Sequence, residues 1–262
     1  MKYIFRVVFI LLFLTANSFA DDQQITVRWN SVDGLKRLQR AEYKNDFYEL
    51  ANYFQPQLNP LYCAAASSVI ILNAIAENGN APSQKNLEIT TPKVLGGKNI
   101  EFKSYSQLTF FNDKTDKIKD RKTIELKNIN PETENSVTNF DPGLTLSELQ
   151  KILSKVYDLK AKIKYLDNVD EKTISQFRNI VKQIVADDTQ YLLVNFNGKA
   201  IGLKTNGHIS PVVAFDSASD SVLIMDVAGH KNGWYWVGVV DLVKAMNTKD
   251  GKNYRGYLAI SK

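Results

Sequence analysis

Hydrophobic residues fall along the chain in two rhythms, helical over the first two-thirds and strand-like over the last third. Phe47, Leu50, Ala51 and Phe54 recur at helical spacing before Pro56 and Pro60 break the pattern. From Cys63 to Glu77 nearly every position is apolar, which predicts a helix at the centre of a domain, ended by Asn78-Gly79-Asn80. Residues 80–142 are rich in Lys, Asn, Thr and Asp, with Phe110-Phe111 as their main apolar feature, and read as loops and short helices. Thr145 and Glu148 predict a capping box for a helix carrying Leu149, Ile152, Leu153 and Val156. A second helix is predicted over 171–187, with Ile174, Phe177, Ile180, Val181 and Ile184 on one face. Strands follow at Tyr191–Phe196, His208–Phe215, Val222–Val227, Trp234–Val237 and Tyr254–Ile260, interrupted by a short helix around Val240–Met246. Near the start, Ile25 and Val27 alternate with polar neighbours and predict a short edge strand. Helices first and an antiparallel sheet last is an α+β arrangement.

The composition, 44% hydrophobic and 23% charged, is that of a folded chain. Its first twenty residues change the picture. Lys2 and Arg6 precede an apolar run from Val7 to Leu14, and Ser18-Phe19-Ala20 puts small residues where a signal peptidase cuts. The run is well short of the ~20 residues that span a bilayer. The expectation is a signal peptide over 1–20 and a soluble mature domain over 21–262, periplasmic or secreted, with no membrane attachment. Loss of the two leader cations takes the formal charge from +5 to about +3. The remaining lysines are interleaved with acids, and no basic stripe carries the aromatics that nucleic acid binding uses.

A single cysteine excludes an internal disulfide and a cysteine-rich zinc site. It opens the buried helix, where the first turn offers unpaired N–H groups and a partial positive charge. A thiol attacks as its thiolate, so this position suits a nucleophile; a buried thiol acting as a small hydrophobe is the plain alternative. Of two histidines, His208 begins an apolar strand, and Asp226 ends the next one, a costly place for a carboxylate without a partner. A hairpin turning near residue 217 sets 208 opposite 226. Asp226 then orients His208, and His208 takes the proton of Cys63. Gln57, six residues before Cys63, is placed to donate to an oxyanion.

Gln57-x5-Cys63, Gly207-His208-Ile209-Ser210-Pro211 and Ile224-Met225-Asp226-Val227-Ala228 resemble the catalytic blocks of phytochelatin synthases, as do Val240-Asp241-Leu242 with Ala245-Met246-Asn247 and Arg255-Gly256-Tyr257. The resemblance covers about residues 45–262. It implies a papain-like fold, with the nucleophile helix in an N-terminal helical part and the sheet C-terminal. It implies cleavage of the Cys–Gly bond of glutathione through a γ-Glu-Cys thioester, passed to water or to a second glutathione. Cys63 is then the nucleophile, His208 the base and acid, Asp226 the orienting carboxylate and Gln57 the oxyanion donor. Arg255, Asn195 and Gly207 match positions around the γ-glutamyl group. No protein-bound metal or cofactor is implied; cadmium and zinc enter as glutathione thiolates. A homodimer is the one partner assembly kept open.

Three departures accompany the likeness. Ala64 stands where the family usually has Gly, and Gly229 and Asn197 stand where arginines are common. The chain resembles the short bacterial members, without the cysteine-rich second domain, and those favour hydrolysis. Two rivals stand beside this reading: a peptidase of the same clan acting on other peptides, and an exported binding module that keeps the fold without the chemistry.

Overall fold

The computed structural model describes residues 25–76, 89–100, 103–124 and 143–262. The predicted leader and the Asn78-Gly79-Asn80 helix stop lie outside these. Strand β1 (Thr26–Arg28) leads into helices α1 (Val32–Arg40), α2 (Asn45–Ala51) and α3 (Cys63–Ile75). A two-stranded ribbon, β2 (Ile89–Thr90) with β3 (Asn99–Ile100), precedes three single-turn helices, α4 (Gln107–Phe110), α5 (Asp113–Asp116) and α6 (Arg121–Ile124). Then come α7 (Leu146–Lys155), β4 (Lys160–Tyr165), α8 (Glu171–Val185), β5 (Gln190–Asn197), β6 (Gly207–Asp216), β7 (Ser221–Ile224), β8 (Tyr235–Gly238), α9 (Val239–Met246), the short β9 (Lys249–Asp250) and β10 (Asn253–Tyr254), and β11 (Gly256–Ser261).

Seven strands form one antiparallel sheet in the order β1-β8-β7-β6-β5-β11-β4. The α+β class read from the pattern is the class observed, but the helices are not confined to one side. Tyr191, Leu193, Ile209, Val213 and Leu258 pack with α3 and α7 on one face. Leu192, Val194, Val212, Val222 and Ile224 pack with α8 and α9 on the other. Side chains alternate across a strand, so β5 and β6, covered on both faces, read as unbroken apolar runs.

Helix α3 is buried from Ala64 to Ala74. The Ser67 hydroxyl donates to the Ile209 carbonyl at 3.0 Å, pinning the helix to β6 one residue past His208. The Thr145–Glu148 capping box forms as its spacing predicts. The pattern suggested neither helix α1 nor strand β4. In β4, exposed Lys160 and Lys162 read as a solvated segment, and lysines of this kind guard a sheet edge against further pairing. The strand predicted at Val222–Val227 ends at Ile224, freeing the next residues to leave the sheet.

Candidate active site

The loop before α3 is fixed from two directions. Its Gln57 N–H donates to the Val227 carbonyl at 2.8 Å. The buried Gln107 side chain accepts from Leu58 N–H and donates to the Pro56 carbonyl, both at 2.9 Å. This double clamp delivers Cys63 to the first position of α3, half-exposed at the mouth of an otherwise buried helix. Tyr62, the N-cap residue, makes no side-chain capping bond, so the first-turn N–H groups are not closed off by it. Ala64 packs into the core and is fully buried.

His208 sits near the start of β6 and Asp226 two residues past the end of β7. The pair is not directly opposite. A bulge between Val212 and Ala214 shifts the register, and Met225 N–H reaches the Pro211 carbonyl at 3.0 Å, which aligns Asp226 with Ser210. The two side chains meet on the diagonal instead, His208 Nε2 to Asp226 Oδ1 at 2.8 Å. The Ser210 hydroxyl lies 3.1 Å from the same nitrogen, and the Phe196 ring meets the imidazole edge-on at 5.7 Å between centroids. With Nε2 engaged, Nδ1 is the ring nitrogen left for the side-chain hydrogen bond to Cys63.

Asp226 is fully buried yet well supplied with donors. Ala228 N–H donates to Oδ1 at 2.7 Å and Asn232 Nδ2 to Oδ2 at 3.1 Å. Burial raises its pKa, but the His208 charge, the His208 hydrogen bond and these two donors outweigh it, and the net shift is down. For His208, burial pulls the pKa down, while the Asp226 charge and hydrogen bond and the Cys63 contact push it up, to about 10. The opposite shifts describe one buried ion pair. Tyr235, also buried, faces Asp226; burial first and that charge second push its hydroxyl pKa up.

Gln57 is buried in the loop beside Cys63, with Nε2 donating to the Asn59 and Pro60 carbonyls at 2.9 and 3.0 Å. Asn195 pairs with Ile209 across the ladder and donates to Asp250 at 2.7 Å. Arg255 is buried nearby, its Nη1 donating to the Lys249 carbonyl at 2.5 Å, and Asn195 pairs with its neighbour Gly256. Gly207 pairs with Asn197, whose side chain accepts from Lys199 N–H at 3.2 Å in the turn that follows β5. His230 is exposed in the turn after Asp226. No cluster of three or more metal-ligating side chains occurs among the described residues.

Sequence reasoning missed Ser210, Asn232, Gln107 and Asp250. Ser210 had a usable signal, since residues two apart on a strand share a face. Asn232 and Gln107 act through loop geometry that no spacing announces.

The phytochelatin synthase family model matches residues 22–257. Among curated proteins, glutathione gamma-glutamylcysteinyltransferase 3 of Lotus japonicus is 25% identical over 82% of this chain and 37% of its own length. Glutathione gamma-glutamylcysteinyltransferase 1 of Arabidopsis thaliana is 24% identical over the same shares. The fission yeast Schizosaccharomyces pombe protein of that name is 28% identical over 45% of this chain and 28% of its own. The chain thus spans a little over a third of the length of the plant relatives it matches.

Proposed function

Because this chain belongs to the phytochelatin synthase family, we propose that it is a cysteine-nucleophile acyltransferase acting on glutathione, built on a papain-like plan over residues 21–262. One observation carries the reading: a buried His208–Asp226 pair is presented to the only cysteine, at the start of a buried helix.

As Cys63 Sγ attacks the carbonyl carbon of the Cys–Gly bond, its proton passes to His208 Nδ1. The same proton goes to the glycine nitrogen as the C–N bond breaks, leaving γ-Glu-Cys as a thioester on Sγ. Asp226 holds the ring through Nε2 and stabilises its charge while the proton is in transit. The first-turn N–H of Cys63 supports the oxyanion; Gln57 joins it by turning its amide from the two loop carbonyls. Water or a second amine then attacks the thioester, gives its proton to His208, and releases Sγ. Asn195 and Arg255, near Asp250, hold the γ-glutamyl group, with the guanidinium on its carboxylate and Gly207 beside it.

Hydrolysis is the favoured outcome, supported by the absence of a guanidinium at Gly229 and Asn197. Cadmium and zinc take part as glutathione thiolates, not as resident ions. The leader at 1–20 supports work outside the cytoplasm, and no described helix is long and apolar enough to cross a membrane. Incubation with glutathione, with and without cadmium, tests the reading. Free glycine with γ-Glu-Cys as main product supports it. Intact glutathione beside cleavage of unrelated peptides replaces it with the peptidase.

A further inference from the structure

The donors that hold Asp226 leave one place open. Oδ1 takes His208 Nε2 and Ala228 N–H, while Oδ2 takes Asn232 alone. A carboxylate oxygen has two lone pairs, so one acceptor position on Oδ2 goes unused by these donors.

A donor stands beside it. Val212, Ile224, Tyr235 and Arg28 form one row across β6, β7, β8 and β1. The contact of Met225 N–H with the Pro211 carbonyl carries the strand path on to Asp226. Side chains two residues apart share a face, so Asp226 lies on the face of Ile224, one step along. Tyr235 is therefore on the diagonal to Asp226, a separation that an aromatic side chain can span. Its hydroxyl is buried and faces the carboxylate, yet stands outside hydrogen-bond geometry with every described group. Burying an O–H without a partner is costly, and a phenylalanine would fill the same space without that cost. An unsatisfied donor is thus set against an unsatisfied acceptor.

The other charged groups around Tyr235 are Arg28 across the ladder and Lys204 and Lys231 on the same pocket wall, all three exposed. The buried charge that faces it is Asp226, itself paired with His208. Burial and that charge push the phenol pKa up, so Tyr235 keeps its proton at working pH.

The demand on Asp226 changes during turnover. While His208 is charged, the ion pair satisfies the carboxylate. Once the ring has passed its proton to the glycine nitrogen, Asp226 is left buried beside a neutral imidazole. A further donor is worth most at that moment.

We propose that Tyr235 is a positioning residue whose hydroxyl donates to Asp226 Oδ2 as His208 turns neutral; the inference rests on the thioester chemistry above. The phenol keeps its proton throughout, and no covalent bond to it forms or breaks. By steadying the ionised carboxylate in that state, Tyr235 eases delivery of the proton to the leaving amine.

The test compares Tyr235→Phe, which loses one hydroxyl and keeps the ring, with the wild-type protein acting on glutathione. Thioester formation on Cys63, followed by intact mass after acid quenching, should slow about tenfold, the effect of one hydrogen bond to a charged group. The value of kcat should fall with it while KM stays. Without the donor, Asp226 holds the imidazolium more strongly, so the alkaline limb of kcat/KM should move to higher pH. Thioester formation at the wild-type rate, with the limb unmoved, overturns the role of Tyr235 and leaves the acylation chemistry standing. A tenfold loss with an unmoved limb reduces Tyr235 to packing and overturns it too. Absence of any thioester in the wild-type protein removes both.

Discussion

Asp46 and Asp226 are both completely buried, and their pKa values move in opposite directions. Asp226 receives His208, Ala228 N–H and Asn232, and its pKa is lowered. Asp46, in α2, has no hydrogen-bond partner for either oxygen among the described residues. Burial, then the charges of Glu49, Asp187 and Asp188, push its pKa up to about 9. Depth is the same for both; the donors differ. A buried carboxylate stays ionised only where the fold aims hydrogen bonds and a cation at it. That is why the end of β7 departs from the sheet: the departure turns Ala228 N–H and Asn232 onto Asp226.

The largest break in this comparison is Asp226→Asn. It should lower the rate of glycine release by about a thousandfold, through loss of imidazole orientation and charge. The pH profile carries the sign. With His208 raised to about 10, the pair's contribution is complete below the ordinary histidine value and is lost as pH rises through about 10. With Asp226 lowered, its contribution is present above the ordinary aspartate range and lost as pH falls through the lowered value. The alkaline limb of kcat/KM should therefore move toward neutral pH in Asp226→Asn. A threefold loss with an unmoved limb would make Asp226 merely structural.

Asn232→Ala removes one donor and leaves the others. A loss of about tenfold in glycine release is expected, the size of one hydrogen bond to a charged group, together with a smaller shift of the same limb. An unchanged limb would mean that Ala228 N–H and His208 suffice.

The smallest effect belongs to Asp46→Asn, read by thermal unfolding between pH 5 and 9. A raised pKa in the folded state contributes stability below the unfolded value, and that stability is lost as pH rises through about 9. The wild-type Tm should fall across this range, and the variant's should be flatter. A parallel fall in both would show that Asp46 is already ionised.

The same contrast explains how far the sequence could be read. The apolar run after Cys63, the Thr145 capping box and the apolar strands of the last third were legible because burial and capping write periodic signals. So were the positions of Cys63, His208 and Asp226, from residue type and motif. The register between His208 and Asp226 was not, since the bulge at Val212–Ala214 has no mark in composition. Strand β4 was hidden by its outward lysines. The donors to Asp226 and the Gln107 clamp depend on loop paths, which distant parts of the fold determine.

The most direct measurement is the intact mass of the protein quenched in acid after mixing with glutathione. A thiol served by His208 and Asp226 should gain one γ-Glu-Cys unit, mapped to Cys63 and absent from Cys63→Ser. Glycine release with no adduct on Cys63, or release that survives Cys63→Ser, would contradict the account.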